Sequence, residues 1–274
     1  MTQSLARLLA LPFVLYLIYF FTSGAYERSQ VHTYIVLGCM IVLALLYVFQ
    51  YQINIWYWKR KPPRLSKKLL SWVAHHSGFY TSLSSEDQLK LEQRIALFIK
   101  LKTFTLKVDK DAELEEDMKA LVAHEFQRLV FNRDDYQYED YDQFIFYNHP
   151  FPTPTIEQLH ALEIHDEHGV VIMSREQFIN GVANPEQINI GLLAAIITFV
   201  RMYPRLEYPS LTELSLDNIT EGMEIGLEPL EALMGEPWIK KLELLIYLYF
   251  EMPKKLEEFN GDVFQSLNLL FDWY

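Results

Sequence analysis

A chain of 274 residues, half of them apolar and carrying a formal charge of −12, is long enough for a membrane anchor plus one domain of typical size. The acidity is uneven: the first 68 positions hold eight of the 24 basic residues but one of the 36 acidic ones, leaving residues 69–274 with 16 basic against 35 acidic side chains, a net −19. A surface of that sign repels phosphate backbones and anionic headgroups, which excludes a nucleic-acid-binding role, and a single cysteine, Cys39, excludes an intramolecular disulfide and a cysteine metal cluster.

The apolar content is concentrated at the start. Leu8 to Thr22, extended back to Ser4 with only Arg7 charged, reaches about the 20 residues that a membrane span needs. Tyr34 to Ile55 contains no charge at all, and the short SGAYERSQVHT between the two runs suits a hairpin turn. A cleavable signal peptide would begin with a more basic stretch and would not be followed by a second apolar run, so two retained spans, about 4–23 and 34–55, are expected. Six cations follow the second span, Lys59, Arg60, Lys61, Arg64, Lys67 and Lys68, against Arg28 alone in the linker. That asymmetry places both termini and the large domain on the cytoplasmic side of the inner, cytoplasmic membrane, with Trp56, Tyr57 and Trp58 as an interfacial belt. The expected organisation is a transmembrane hairpin over 1–58, a basic and aromatic linker over 59–83 that includes His75 and His76, and a domain over 84–274.

Within that domain, SSEDQLKLEQRIALFIKLKTF opens on a helix start signal and carries Leu89, Leu91, Ile95, Leu97, Phe98 and Leu101 at helical spacing. A second helix is expected from about Glu113 to Phe131, then a loop rich in acids and tyrosines, a short strand over Gln143–Tyr147 and a turn with three prolines. HALEIHDEHGVVIMS has the pattern of a hairpin turning at HDEHG. INIGLLAAIITFVRMY is apolar almost throughout yet too short to cross a bilayer, so it belongs in the core. The last third is helical with a break at Pro253.

One segment of the second helix, HEFQR, holds part of the zinc-peptidase pattern H-E-x-x-H. His124 and Glu125 are in place, but Arg128 stands where the second histidine belongs, and a guanidinium has no lone pair for a metal. One ligand does not make a site that needs three. The bland reading is an amphipathic helix with an apolar stripe through Leu121, Val122, Phe126 and Leu129, and Glu125 paired to Arg128 three residues on.

Three segments in order, Ala120–Phe131, Gly169–Phe199 and Leu242–Phe271, resemble the Mlc titration factor A family of zinc peptidases, whose catalytic domain has a zincin fold. The likeness runs from about Ser84 onward. It includes Asn189-Ile190-Gly191-Leu192 before the family's zinc helix, and Tyr249-Phe250-Glu251-Met252-Pro253, which is similar to the end of its third-ligand helix. The resemblance implies that the two histidine positions fall on Leu193 and Ile197, the catalytic glutamate on Ala194, and the third-ligand glutamate on Tyr247. The family's H-E-x-x-H is thus replaced by Leu193-Ala194-Ala195-Ile196-Ile197. An aliphatic side chain offers zinc nothing and alanine is no general base. Nor does an alignment slip restore a site: every histidine lies at or before His168, and Glu176 and Glu186 are the only acids between Val170 and Tyr203.

The fold class expected is α+β: a mostly helical zincin-like domain with a small sheet, preceded by a two-helix transmembrane hairpin. The function expected is that of a membrane-anchored pseudopeptidase without zinc or any other cofactor, acting as a protein-binding or regulatory module. The membrane is engaged through the hairpin, nucleic acid is not a partner, and the protein partner is unknown; the family's link to a sugar-responsive transcription repressor points only to a kind of partner. The resemblance implies a peptide-binding strand at Gly169, Val170, Val171, Ile172, Met173 and Ser174. The alternative is an active zinc peptidase with its ligands elsewhere, for which His160, His165 and His168 form the densest cluster.

Overall fold

The computed structural model describes residues 5–23, 30–108, 112–134, 136–184, 186–223, 226, 228–234 and 240–273. The chain divides into two compact units, Met1–Pro63 and Arg64–Tyr274.

The first unit holds α1 (Leu5–Thr22), α2 (Gln30–Val48) and α3 (Gln50–Arg60). By length and composition α1 and α2 can each cross a membrane. Leu8, Phe21, Tyr34 and Leu37 are all more than half exposed, so much of the apolar surface of these helices faces outward rather than into a core. Tyr16 Oη meets His32 Nδ1 at 3.0 Å between the two helices. The second apolar run is not one uninterrupted helix over 34–55. It begins at Gln30 and breaks at Phe49, whose φ of −96° and ψ of 12° separate α2 from α3. Lys59 and Arg60 close α3, where cations complement the negative end of the helix dipole. Ser4 and the Glu27–Arg28 pair lie outside the described residues.

In the second unit, the stretch expected as linker forms α4 (Lys67–His76) and α5 (Gly78–Ser82). Ser66 and Ser77 cap them through side-chain oxygens that accept from Leu69 N and Tyr80 N. Val73 is fully buried, so α4 packs as part of the domain core. Next come α6 (Ser85–Leu101), β1 (Thr103–Lys107), β2 (Ala112–Glu113) and α7 (Glu116–Leu129). The helix expected to run through Phe104 stops three residues earlier. Lys102 turns extended, and alternating Thr103, Phe104, Thr105 and Leu106 suit a strand with one face buried.

β3 (Gln143–Tyr147), β4 (Leu162–His165) and β5 (Val170–Ser174) complete a five-stranded sheet of order β2-β1-β3-β5-β4. The three inner strands are parallel, with Phe104 level with Phe144 and Phe144 level with Val171. The two outer strands run antiparallel to their neighbours. A 3-10 turn, Asp166–His168, joins β4 to β5 and ends at Gly169, whose φ of +60° and close approach to the Asp140 carbonyl leave no room for a side chain. Phe126 of α7 stacks edge-on against Phe144 at 5.1 Å and lies 5.4 Å from Phe98 of α6, tying one sheet face to two helices. The acidic tyrosine-rich loop tucks inward: Tyr138 and Tyr141 are 2% exposed, and Lys102 Nζ donates to Tyr138 O at 2.6 Å.

The remaining helices are α8 (Arg175–Ala183), α9 (Ile190–Met202), α10 (Leu216–Met223), α11 (Glu228–Met234), α12 (Lys241–Glu251), α13 (Pro253–Phe259) and α14 (Gly261–Phe271). α9 is buried from Ile190 to Phe199, and Gly191 lets the Phe178 ring of α8 lie against its backbone. Pro253 starts α13 at the first helical position, where its missing N–H costs nothing.

Candidate functional site

His124 and Glu125 are 2% and 3% exposed, and the fold gives each a partner on another element. Tyr80 N donates to Ser77 Oγ, and Ser77 Oγ lies 2.6 Å from His124 Nε2 in a second hydrogen bond. His124 Nδ1 donates to Glu125 Oε1 at 2.8 Å, and Glu125 Oε2 accepts from Asn189 Nδ2 at 2.9 Å. Asn189 Oδ1 in turn accepts from Leu192 N and caps α9. The order Ser77–His124–Glu125 is that of a hydrolytic triad. Yet Ser77 is 5% exposed and its oxygen serves as the cap of α5, so the three are closed to a substrate carbonyl.

Arg128 approaches Glu125 only to 3.8 Å; its closer partners are Glu251 Oε1 at 3.1 Å and Phe250 O at 3.0 Å, both at the end of α12. One guanidinium therefore serves two carboxylates with different outcomes. Burial pushes the Glu125 carboxyl up, but the hydrogen bond and charge of His124, with Arg128 and Asn189, outweigh it and hold the group below the ordinary value. Burial dominates at Glu251 and holds it above the ordinary value, with Arg128 offsetting only part.

The positions that the resemblance assigns to zinc look different. Leu193, Ala194 and Ile197 are all 0% exposed, as are Ala195 and Ile196, and they pack hydrocarbon against hydrocarbon in the core. Tyr247 on α12 reaches the start of α9, where its Oη accepts from Asn189 N at 3.0 Å, a bond that ties the two helices together. Burial raises the phenol of Tyr247 far above its ordinary value, with the Glu251 charge adding to the shift, so the group is a neutral hydroxyl. Three aliphatic side chains and a neutral phenol do not fit a zinc ion.

The structure brings His160 and His165 to one carboxylate: His160 Nε2 lies 3.1 Å from Glu163 Oε2 and His165 Nε2 3.0 Å from Glu163 Oε1. The other ring nitrogen of His160 meets Gln158 O at 2.9 Å. His168 is not part of this group. It ends the 3-10 turn and lines a separate acidic hollow with Asp166 and Glu167. Among the described residues, no three His, Cys, Asp or Glu side chains are grouped to hold a metal ion.

The strand proposed for peptide addition, Gly169–Ser174, needs correcting. β5 is paired on both sides, by β3 and by β4, so no edge of it is left for a peptide. A cavity of about 740 Å³ lies against α12. Its wall is one face of α12, Leu244, Tyr247, Leu248, Glu251 and Met252, at the three-to-four-residue spacing of a helix. Ile188 and Glu186 from the segment before α9, and Leu159 and His160 from the segment before β4, close it. Sequence reading missed this cavity and the buried network alike. The network's links Ser77–His124, Glu125–Asn189 and Arg128–Glu251 join residues 47, 64 and 123 apart, and the cavity brings together segments from Pro150 to Met252, so no local pattern announces either.

No curated protein matches the chain. A family's sequence model does, over residues 54–192, just over half of the chain, and the match ends at the residue before Leu193. On that match, and with its mostly helical fold around a small mixed sheet, the chain belongs to the family of glucose-regulated metallo-peptidases M90, and its second unit is a zincin-like domain.

Proposed function

We propose that the chain is a pseudopeptidase: a zincin-like domain without catalytic zinc, held at the cytoplasmic face of a membrane by its apolar N-terminal helices, that binds a protein segment rather than cutting it. The observation that carries this reading is the complete burial of Leu193, Ala194 and Ile197, the positions that the resemblance assigns to the metal ligands and the base. A general base needs a titratable group and a Lewis acid needs lone pairs, and those three side chains supply neither. The end of the family match at Leu192 is in keeping with it. The cavity beside Tyr247 offers a concave, partly apolar place for such a segment.

The test is a proteolysis assay on the full chain in neutral detergent, with unfolded casein and added zinc. The reading predicts no cleavage sensitive to chelator. Cleavage abolished both by chelator and by His165→Ala would overturn it in favour of a working metallopeptidase built on His160 and His165.

A further inference from the structure

The cavity wall has a definite chemistry. Leu244 and Leu248 are buried along its floor, and Leu159 and Met252, 67% and 40% exposed, are apolar at its rim. Two carboxylates, Glu251 and Glu186, line it, and among the described residues no lysine or arginine does. Glu251 Oε1 pairs with Arg128 at 3.1 Å, and among the described lining residues the formally charged side chains are those of Glu251 and Glu186, so the lining itself is acidic. The low-dielectric surroundings of a partly buried carboxylate strengthen its attraction for a second cation. The net −19 of residues 69–274 steers a cation in the same direction. β5 is paired on both sides, so the occupant does not add to that strand.

We propose that this cavity receives a partner's peptide segment in which an apolar side chain is flanked by lysine or arginine: the apolar group fills the hollow over Leu244 and Leu248, and the cation pairs with Glu251 and Glu186. The proposal rests on the pseudopeptidase reading and adds the class of its ligand.

Fluorescence anisotropy on the full chain in neutral detergent tests it, with three fluorescein-labelled hexapeptides. One has two central leucines flanked by lysines, one has glutamates in place of the lysines, and one has serines in place of the leucines. The lysine–leucine peptide should bind saturably and at least about tenfold more tightly than the other two. Met252→Trp, which blocks the mouth from an exposed position that tolerates a larger ring, and Glu251→Gln should each weaken binding by about fivefold or more. The double variant Glu257→Gln, Glu258→Gln, which removes two exposed acids of α13 away from the cavity, should leave it unchanged.

Equal binding of the glutamate peptide, no effect of Met252→Trp, or an equal loss in the α13 variant would overturn the proposal, the last by showing unspecific charge attraction. Binding without the preference, in a chain free of zinc, defeats this inference alone. Chelator-sensitive cleavage of the peptides defeats the pseudopeptidase reading on which it rests.

Discussion

Helices α7 and α9 lie against each other in the core, and they use opposite materials for the same purpose. α7 carries His124, Glu125 and the near-buried Arg128, with partners in Ser77, Asn189 and Glu251. α9 buries ten consecutive residues whose side chains are hydrocarbon except for Thr198, which bonds back to the Ala194 carbonyl at 2.8 Å. The letters of a metallopeptidase motif therefore occur on the helix where they make structural hydrogen bonds. They are missing from the helix where the family resemblance places chemistry. A motif fragment becomes informative only when its partners in space are known.

The largest expected effect comes from breaking the α7 network. Glu125→Ala leaves His124 Nδ1 and Asn189 Nδ2 without their acceptor and removes a charge 3.8 Å from Arg128, and should cost about 3–5 kcal/mol in a urea melt. A loss below about 1 kcal/mol would mean that water replaces the carboxylate and the network is not a structural core. On α9 the corresponding loss is a cavity: Ile197→Ala should cost about 2–5 kcal/mol and Ile197→Val about 0.5–1.5, a graded series that a polar network does not show. Asn189 belongs to both helices, capping α9 and holding Glu125. Asn189→Ala should cost about 1–2 kcal/mol, and in a double variant with Glu125→Ala the two losses should fall short of additive.

The pH profile gives the smallest but most specific contrast. Glu125 titrates below the ordinary 4.5 in the folded chain, so its contribution is present above that value and is lost as pH falls through the folded pKa. Glu251 titrates above 4.5, so between that value and its folded pKa the folded chain keeps a proton the unfolded chain has released, and stability declines as pH rises through that window. Thermal melts across the acid range should show Glu125→Gln removing a rise with pH and Glu251→Gln removing a fall. Shifts of the same sign would show that Arg128 does not divide its charge as described.

Much of the fold was legible because local chemistry dictates it. β3 matches its expected bounds, the HDEHG turn falls where the hairpin pattern puts it, and Pro253 starts a new helix. The short β1 and β2 were hidden because Thr103–Lys107 continues a helical apolar pattern, and only pairing with β3 across 40 residues makes it a strand. α4 and α5 were hidden because basic residues at the start of α4 mask the apolar side that Val73 and Tyr80 bury. At the candidate site the aliphatic character and burial of Leu193, Ala194 and Ile197 are legible in the run INIGLLAAIITF. The His160–Glu163–His165 contact, the Arg128–Glu251 pair and the paired edges of β5 are products of tertiary structure.

The central claim concerns metal, and the zinc content of the purified full-length chain tests it most directly. After growth with zinc present and dialysis against a weak chelator, elemental mass spectrometry should find below about 0.1 equivalent per chain, since Leu193, Ala194 and Ile197 offer a metal no lone pair. About one equivalent that survives dialysis would contradict the account, and zinc lost on His160→Ala or His165→Ala would place it beside Glu163.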